Sequence, residues 1–161
     1  MSRFLRKALF RAVIVFTISI ISTVSPFFTR ISSTEAATSV NVSTLSQLQS
    51  AVSNLQSNAM IIMAAGTYNL SGPLYIPQGT TNIVIKGATG NRDDVIVQGS
   101  GMSGGAAFGF WVGNTQNITF QDFTIRNIWQ HGIILNAGAE SPVFRNLRIT
   151  DTGDQQIKAN P

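Results

Sequence analysis

The chain has 161 residues, enough for one domain, with eleven Lys and Arg against seven Asp and Glu for a formal net charge of +4. It contains no cysteine, which excludes a disulfide framework, a thiolate metal site and a haem attachment. The positive charge does not describe a nucleic-acid surface, because Arg3, Arg6, Lys7, Arg11 and Arg30 stand against Glu35 alone in the first 37 residues and the rest of the chain is balanced.

Those first residues read as an export signal. A basic stretch at 2–11 precedes an apolar run at 12–24, and small residues follow around Thr34, Ala36 and Ala37. The apolar run is shorter than the roughly 20 residues that cross a bilayer, so removal is expected rather than anchoring. The expectation is a signal peptide over 1–37, a mature domain over 38–161 and no membrane attachment of the mature form. Its destination is then the medium, the periplasm or the cell surface.

Residues 40–42 suit a short strand. Leu45, Leu48, Val52 and Leu55 then recur on one helical face and predict a helix over 44–56. Thr44-x-x-Gln47 has the form of a capping box, and Ser57-Asn58 closes the segment. Downstream come short apolar runs at 61–63, 74–76, 83–85, 95–97, 108–112, 118–125, 133–135 and 143–149. Turn residues separate them, among them Gly66, Gly72-Pro73, Pro77-Gln78-Gly79, Gly87 and Asn127. Runs of this kind fit a sandwich, a barrel or a β-helix.

A repeat decides among these. Residues 117–136 and 141–160 align at an offset of 24, matching Phe120 with Phe144, Ile125 with Ile149, Ile133 with Ile157 and Asn136 with Asn160. Phe123 matches Leu147, and Asp122 matches Asn146. Only a parallel coil stacks residues one period apart directly on each other. Residues 82–85 align with 117–120 at an offset of 35 if the Gly-rich stretch at 99–105 is an enlarged loop. No helix pattern follows those glycines, so a phosphate-binding loop is not expected. Asn136 and Asn160 are expected at left-handed corners, which Asn tolerates.

With this helix, a strand ending in Gly66-Thr67-Tyr68, and coils such as NITFQDFTIRN, the chain resembles the right-handed parallel β-helix proteins of the pectate-lyase-like (pectin lyase-like) superfamily. The resemblance covers roughly residues 40 to 161. It implies an all-β right-handed parallel β-helix (a solenoid) whose N-terminal end is capped by the α-helix. It also implies action on polysaccharide, with lyase- or epimerase-like chemistry on a uronate-containing glycan. There a Lys or Arg removes the proton beside the uronate carboxylate, while calcium or another basic group neutralises that carboxylate. Lys158, Arg126 and His131 are then the candidate base and charge-neutralising groups. Trp129, Asp151 and Asp154 are candidates for substrate contact. Residues 153–158 also resemble a glycoside-hydrolase strand of this fold, but Asp154 stands alone where that mechanism needs paired carboxylates.

The residues themselves leave plainer readings open. Asp151, Asp154 and Lys158 suit a polar turn with a solvated lysine, as well as a carboxylate pair and base on the outer wall. His131 and Trp129 form either an exposed pair able to stack on a sugar or a structural turn. In the 24-residue register His131 falls on Gln155 and Arg126 on Thr150, so the coil itself demands neither. Asp93-Asp94 offers oxygen ligands for calcium or a hydrophilic turn. Trp111 offers a sugar platform, while Phe110 aligns with Ile133 as core. Because Pro161 follows directly on the strand of Ile157, the chain reads as an N-terminal fragment, monomeric once that end is capped. From another functional class, a non-catalytic carbohydrate-binding or adhesion solenoid is the rival reading, and an inactive truncated product is a third. A basic groove on one outer wall distinguishes an enzyme from these.

Overall fold

Left-handed corners and in-register apolar ladders shape residues 38–160, the part that the computed structural model describes. The signal expected over 1–37 lies outside them. The strands are β1 (Thr38–Val42), β2 (Ala59–Met63), β3 (Gly66–Asn69), β4 (Leu74–Tyr75), β5 (Thr81–Gly87) and β6 (Val95–Gln98). They continue with β7 (Phe108–Val112), β8 (Thr115–Ile128), β9 (His131–Leu135), β10 (Ala139–Glu140), β11 (Val143–Thr152) and β12 (Ile157–Ala159). Helix α1 (Leu45–Ser53) lies between β1 and β2, and a 3-10 turn (Gly101–Ser103) between β6 and β7. All strand pairings are parallel, giving a β-solenoid of about 5 turns. Parallel crossovers of this kind are right-handed by general rule.

Three walls follow from the pairing. The first stacks β1, β2, β5 and the leading halves of β8 and β11. The second stacks β3, β6 and the trailing halves of β8 and β11. The third stacks β4, β7, β9 and β12. Each wall sends a ladder inward: Ile61, Ile85, Phe120 and Phe144 from the first, then Tyr68, Val97, Ile125 and Ile149 from the second. The third sends Leu74, Phe110, Ile133 and Ile157. The offsets of 24 and 35 seen in the sequence are therefore the true rung-to-rung register. Phe110 and Phe120 meet in the centre at 5.0 Å and 58°, the tilted geometry that aromatic pairs prefer. Tyr68 donates its buried hydroxyl toward the carbonyls of Val42 and Ala64, and burial pushes its phenol above its ordinary pKa.

Helix α1 closes the N-terminal end of this core, with Leu48 and Val52 buried against the same cluster as Val42, Ile61 and Ile76. Thr44 Oγ1 accepts from the Gln47 amide, the forward half of the expected box. The return half differs, since Gln47 Oε1 accepts from the Ser43 amide. The helix also stops at Ser53 rather than residue 56, because Asn54 turns back and bonds the Ser50 carbonyl through both its amides. Gly66 opens a strand of its own rather than ending one. The Gly-rich insert between β6 and β7 supplies only part of the 35-residue offset: the step falls from 35 at Ile85–Phe120 to 28 at Val97–Ile125 across the loop 88–94, and to 23 at Phe110–Ile133 across the insert.

The left-handed corners lie elsewhere than expected. Asn82, Asn117, Asp122, Asn127, Asn146 and Asp151 have positive φ, whereas Asn136 and Asn160 do not. The latter pair instead form a side-chain rung, Asn160 Nδ2 donating to Asn136 Oδ1 at 3.0 Å. A longer amide ladder runs along the corner that enters the first wall, Asn117 to Asn82 at 3.1 Å and Asn82 to Asn58 at 2.9 Å. Close approach demands a glycine at residue 87, where a Cβ would overlap the Asp122 carbonyl oxygen. Replacing Gly87 by Ala is expected to cost about 2 kcal/mol in urea unfolding, as overpacking does. Gly72, whose Cβ would meet nothing within 4 Å, should tolerate Ala within about 0.5 kcal/mol.

Candidate functional site

The corner between the second and third walls gathers four of the six residues singled out above. Asp151 sits near the end of β11 with a φ of 53°, stacked on the corner that Asn127 makes one rung earlier. Its carboxylate accepts from Thr150 Oγ1 at 3.2 Å. A shallow hollow of about 310 Å³ opens here between Met102 of the 3-10 turn and Asn127, Asp151 and Gly153. Trp129 is exposed beside it, and the backbone at Gly153 packs on the Trp129 carbonyl so closely that no Cβ fits.

Of its two readings, His131 follows the structural one rather than the exposed one. It begins β9, stacks on Phe108 of the preceding rung with centroids 5.8 Å apart and planes within 3°, and is 4% exposed. The Gln155 amide donates to its Nδ1 at 3.3 Å, which leaves Nε2 to carry the ring proton toward Asp154, 3.9 Å away. The Trp–His pair is thus one exposed indole and one buried imidazole. The burial arises because Phe108 below and Gln155 above hold the ring between adjacent rungs.

Arg126 and Lys158 lie on different walls. Arg126 belongs to an outward polar column of the second wall, Asn69, Gln98, Arg126 and Thr150. Its Nε donates to Gln98 Oε1 at 2.8 Å, and Gln98 in turn donates to Asn69 Oδ1 at 2.8 Å. Lys158 pairs in register with Ile134 on the third wall and points outward as strand alternation predicts. Of the six residues, therefore, Trp129, His131, Asp151 and Asp154 share a corner, while Arg126 and Lys158 stand apart from each other.

A further group belongs with them. Lys86, Gln121 and Arg145 form one outward column of the first wall, each in register with the next. Among the described residues the ion pairs are Arg148 with Asp93 and His131 with Asp154, so neither Lys86 nor Arg145 is matched with a carboxylate. The signal was present in the sequence, since offsets of 35 and then 24 carry residue 86 to 121 and 145. The loop 88–94 covers the neighbouring part of the second wall. It is pinned there by Arg92 donating to the Leu147 carbonyl at 3.1 Å and by Thr124 donating to the Arg92 carbonyl at 2.9 Å.

The carboxylates do not assemble a calcium site. Asp93 is occupied by Arg148, Asp94 accepts from Asn91 at 2.9 Å, and no group of three or more His, Asp or Glu is placed to hold a metal among the described residues. No protein-family model, curated protein or solved structure matches the chain. Removing the imidazole should unsettle the corner: His131→Ala leaves the Gln155 amide without its acceptor and exposes Phe108. The expected loss is about 1–3 kcal/mol in urea unfolding, and a loss under about 0.5 kcal/mol would contradict the packing role described.

Proposed function

We propose that the protein is an exported β-helix of the pectate-lyase-like superfamily that engages an acidic, uronate-containing polysaccharide, with lyase- or epimerase-like chemistry as its activity. The observation that carries the reading is the first-wall column Lys86, Gln121 and Arg145. Rungs recur about every 4.8 Å, so its two cations stand about 10 Å apart along the solenoid axis. They face outward without carboxylate partners, and the amide between them, Gln121, donates to Asp122 Oδ2 at 2.7 Å. Such a row suits a polymer that carries a carboxylate at regular intervals, because exposed Lys and Arg attract each negative group in turn.

Proton abstraction beside a uronate carboxylate needs a basic nitrogen within reach and a cation to hold the developing charge. Arg126 and Lys158 supply outward-facing nitrogens for the first task, and Lys86 and Arg145 supply cations for the second. His131 enters this chemistry only through Nε2 and Asp154, since Nδ1 is already bonded.

A second reading, a non-catalytic glycan-binding or adhesion solenoid, is favoured by one specific observation. Arg126 is tied to Gln98, and Lys158 lies on another wall, so no basic nitrogen adjoins the cationic column in a bonded constellation. Ultraviolet absorbance of newly formed unsaturated ends on polyuronates, with proton NMR of the polymer for epimerisation, separates the two readings. Either product supports the enzyme, and binding without product supports the solenoid. Binding itself is expected to weaken as salt rises. The double variant Lys86→Ala, Arg145→Ala should weaken it roughly tenfold at low salt, given up to about 1 kcal/mol for each exposed charge pair. Polyuronate affinity unchanged by that double variant would remove the column from the proposal.

A further inference from the structure

Among the described residues, the third wall carries the outward column that holds aromatic rings. Tyr75, Trp111, Ile134 and Lys158 follow one another in register on β4, β7, β9 and β12. Tyr75 is 57% exposed, and its ring lies 5.9 Å from that of Trp111 with the planes tilted by 47°. The indole lies low over the sheet, because Gly113 beside it has no side chain; a Cβ there would stand 2.6 Å from the indole Cη2. Ile134 is buried although it points outward. Lys158, half-buried, ends the row with its ammonium and has no carboxylate partner among the described residues.

Outward columns elsewhere include aliphatic residues, among them Met60 and Val84 on the first wall and Ile96 on the second, but none of them carries an aromatic ring. From this arrangement we infer that the third wall is a glycan-binding strip distinct from the cationic column of the first wall. Its aromatic end takes the C–H face of a pyranose ring, and its lysine takes the acid group of a sugar further along the same chain. The electron-rich face of an aromatic ring attracts the weakly positive C–H groups of a sugar, while the ammonium selects for an acidic residue. The rung spacing of about 4.8 Å is of the same order as the advance of one sugar along a glycan. Trp111 and Lys158, two rungs apart, therefore address neighbouring or next-neighbouring residues of one strand. The choice of an acidic glycan rests on the proposed function, and Lys158 is common to both readings, whereas Tyr75 and Trp111 on the third wall belong to the strip alone.

The test uses tryptophan fluorescence. With Trp129→Phe as the background, Trp111 is the sole tryptophan of the chain, which has two. A uronate oligosaccharide and its methyl-esterified form are titrated separately, with calorimetry alongside as a measure of total binding. Expected is a saturable change in Trp111 emission with both ligands. Tyr75→Ala, at a well-exposed position that should fold normally, weakens both roughly tenfold, the scale of one lost stacking contact. Lys158→Ala weakens only the charged ligand. If calorimetry reports binding while Trp111 emission stays still and Tyr75→Ala has no effect, the strip is overturned and the cationic column stands. No binding of either oligosaccharide or of polyuronate overturns both. A concentration-dependent dimer that Tyr75→Ala dissolves would also overturn the strip, by assigning the wall to a second copy of the chain.

Discussion

The structure depends on one constraint, the parallel pairing of each strand with the strand one turn earlier. Once Phe144 is paired with Phe120 and Ile149 with Ile125, every residue between them inherits a fixed neighbour. Inward positions must then be apolar on consecutive turns, since a polar group buried there would find no partner within the rung. Corners must bend at the same place on each turn, which explains why Asp122 and Asn146 share positive φ and why Asn146 Nδ2 can reach Asp122 Oδ1 at 2.8 Å. The helix α1 belongs to the same logic, because an apolar stack has an end that something must cover. Leu48 and Val52 do so on the N-terminal side.

That constraint explains which features were readable from the amino acids alone. The ladders of Phe120, Ile125 and Ile133 were legible because the turn containing them is followed by one of equal length, and the 35-residue step because Asn82 and Ile83 repeat as Asn117 and Ile118. Corners were legible only as Asn-rich positions. Nothing in the one-dimensional pattern separates an asparagine that bends the backbone, such as Asn117, from one that bonds a neighbouring amide, such as Asn136. The end of α1 was hidden for a related reason: Leu55 keeps the helical spacing and is buried, yet Asn54 has already satisfied the last turn through its side chain.

The candidate residues were harder to read, because burial at a corner depends on the lengths of two consecutive turns. His131 seemed a turn residue from its flanking Gly132. Its burial comes from Phe108, which sits 23 positions earlier rather than 24 and so falls outside the repeat used to find it. Arg126 looked unusual because Thr150 follows it in register, but its bonding partner lies in the other direction, on Gln98. The column Lys86, Gln121 and Arg145 escaped notice because no single offset connects it. It emerges only when the 35-residue and 24-residue steps are taken in succession.

The division between inward and outward positions also determines where function can be sought on such a fold. Inward residues are explained by packing, and corner residues by backbone geometry or by amide ladders. Outward columns owe the coil only their tolerance of an extended backbone. A run of Thr or Asn in such a column is therefore uninformative, since those residues satisfy themselves with water or with each other, as the Asn58, Asn82 and Asn117 ladder does. A column of unmatched cations gains nothing from the fold, since stacking like charges on successive rungs costs a little repulsion, whereas an aromatic pair such as Tyr75 and Trp111 adds a little to the sheet. Gln121 between Lys86 and Arg145 relieves that cost without ending the row. The third wall differs in kind: the ring of Trp111 is kept low over the sheet by a glycine at residue 113 rather than hidden in the core. Features that the coil does not need and that cost it some stability are the ones whose explanation must lie in what the surface meets.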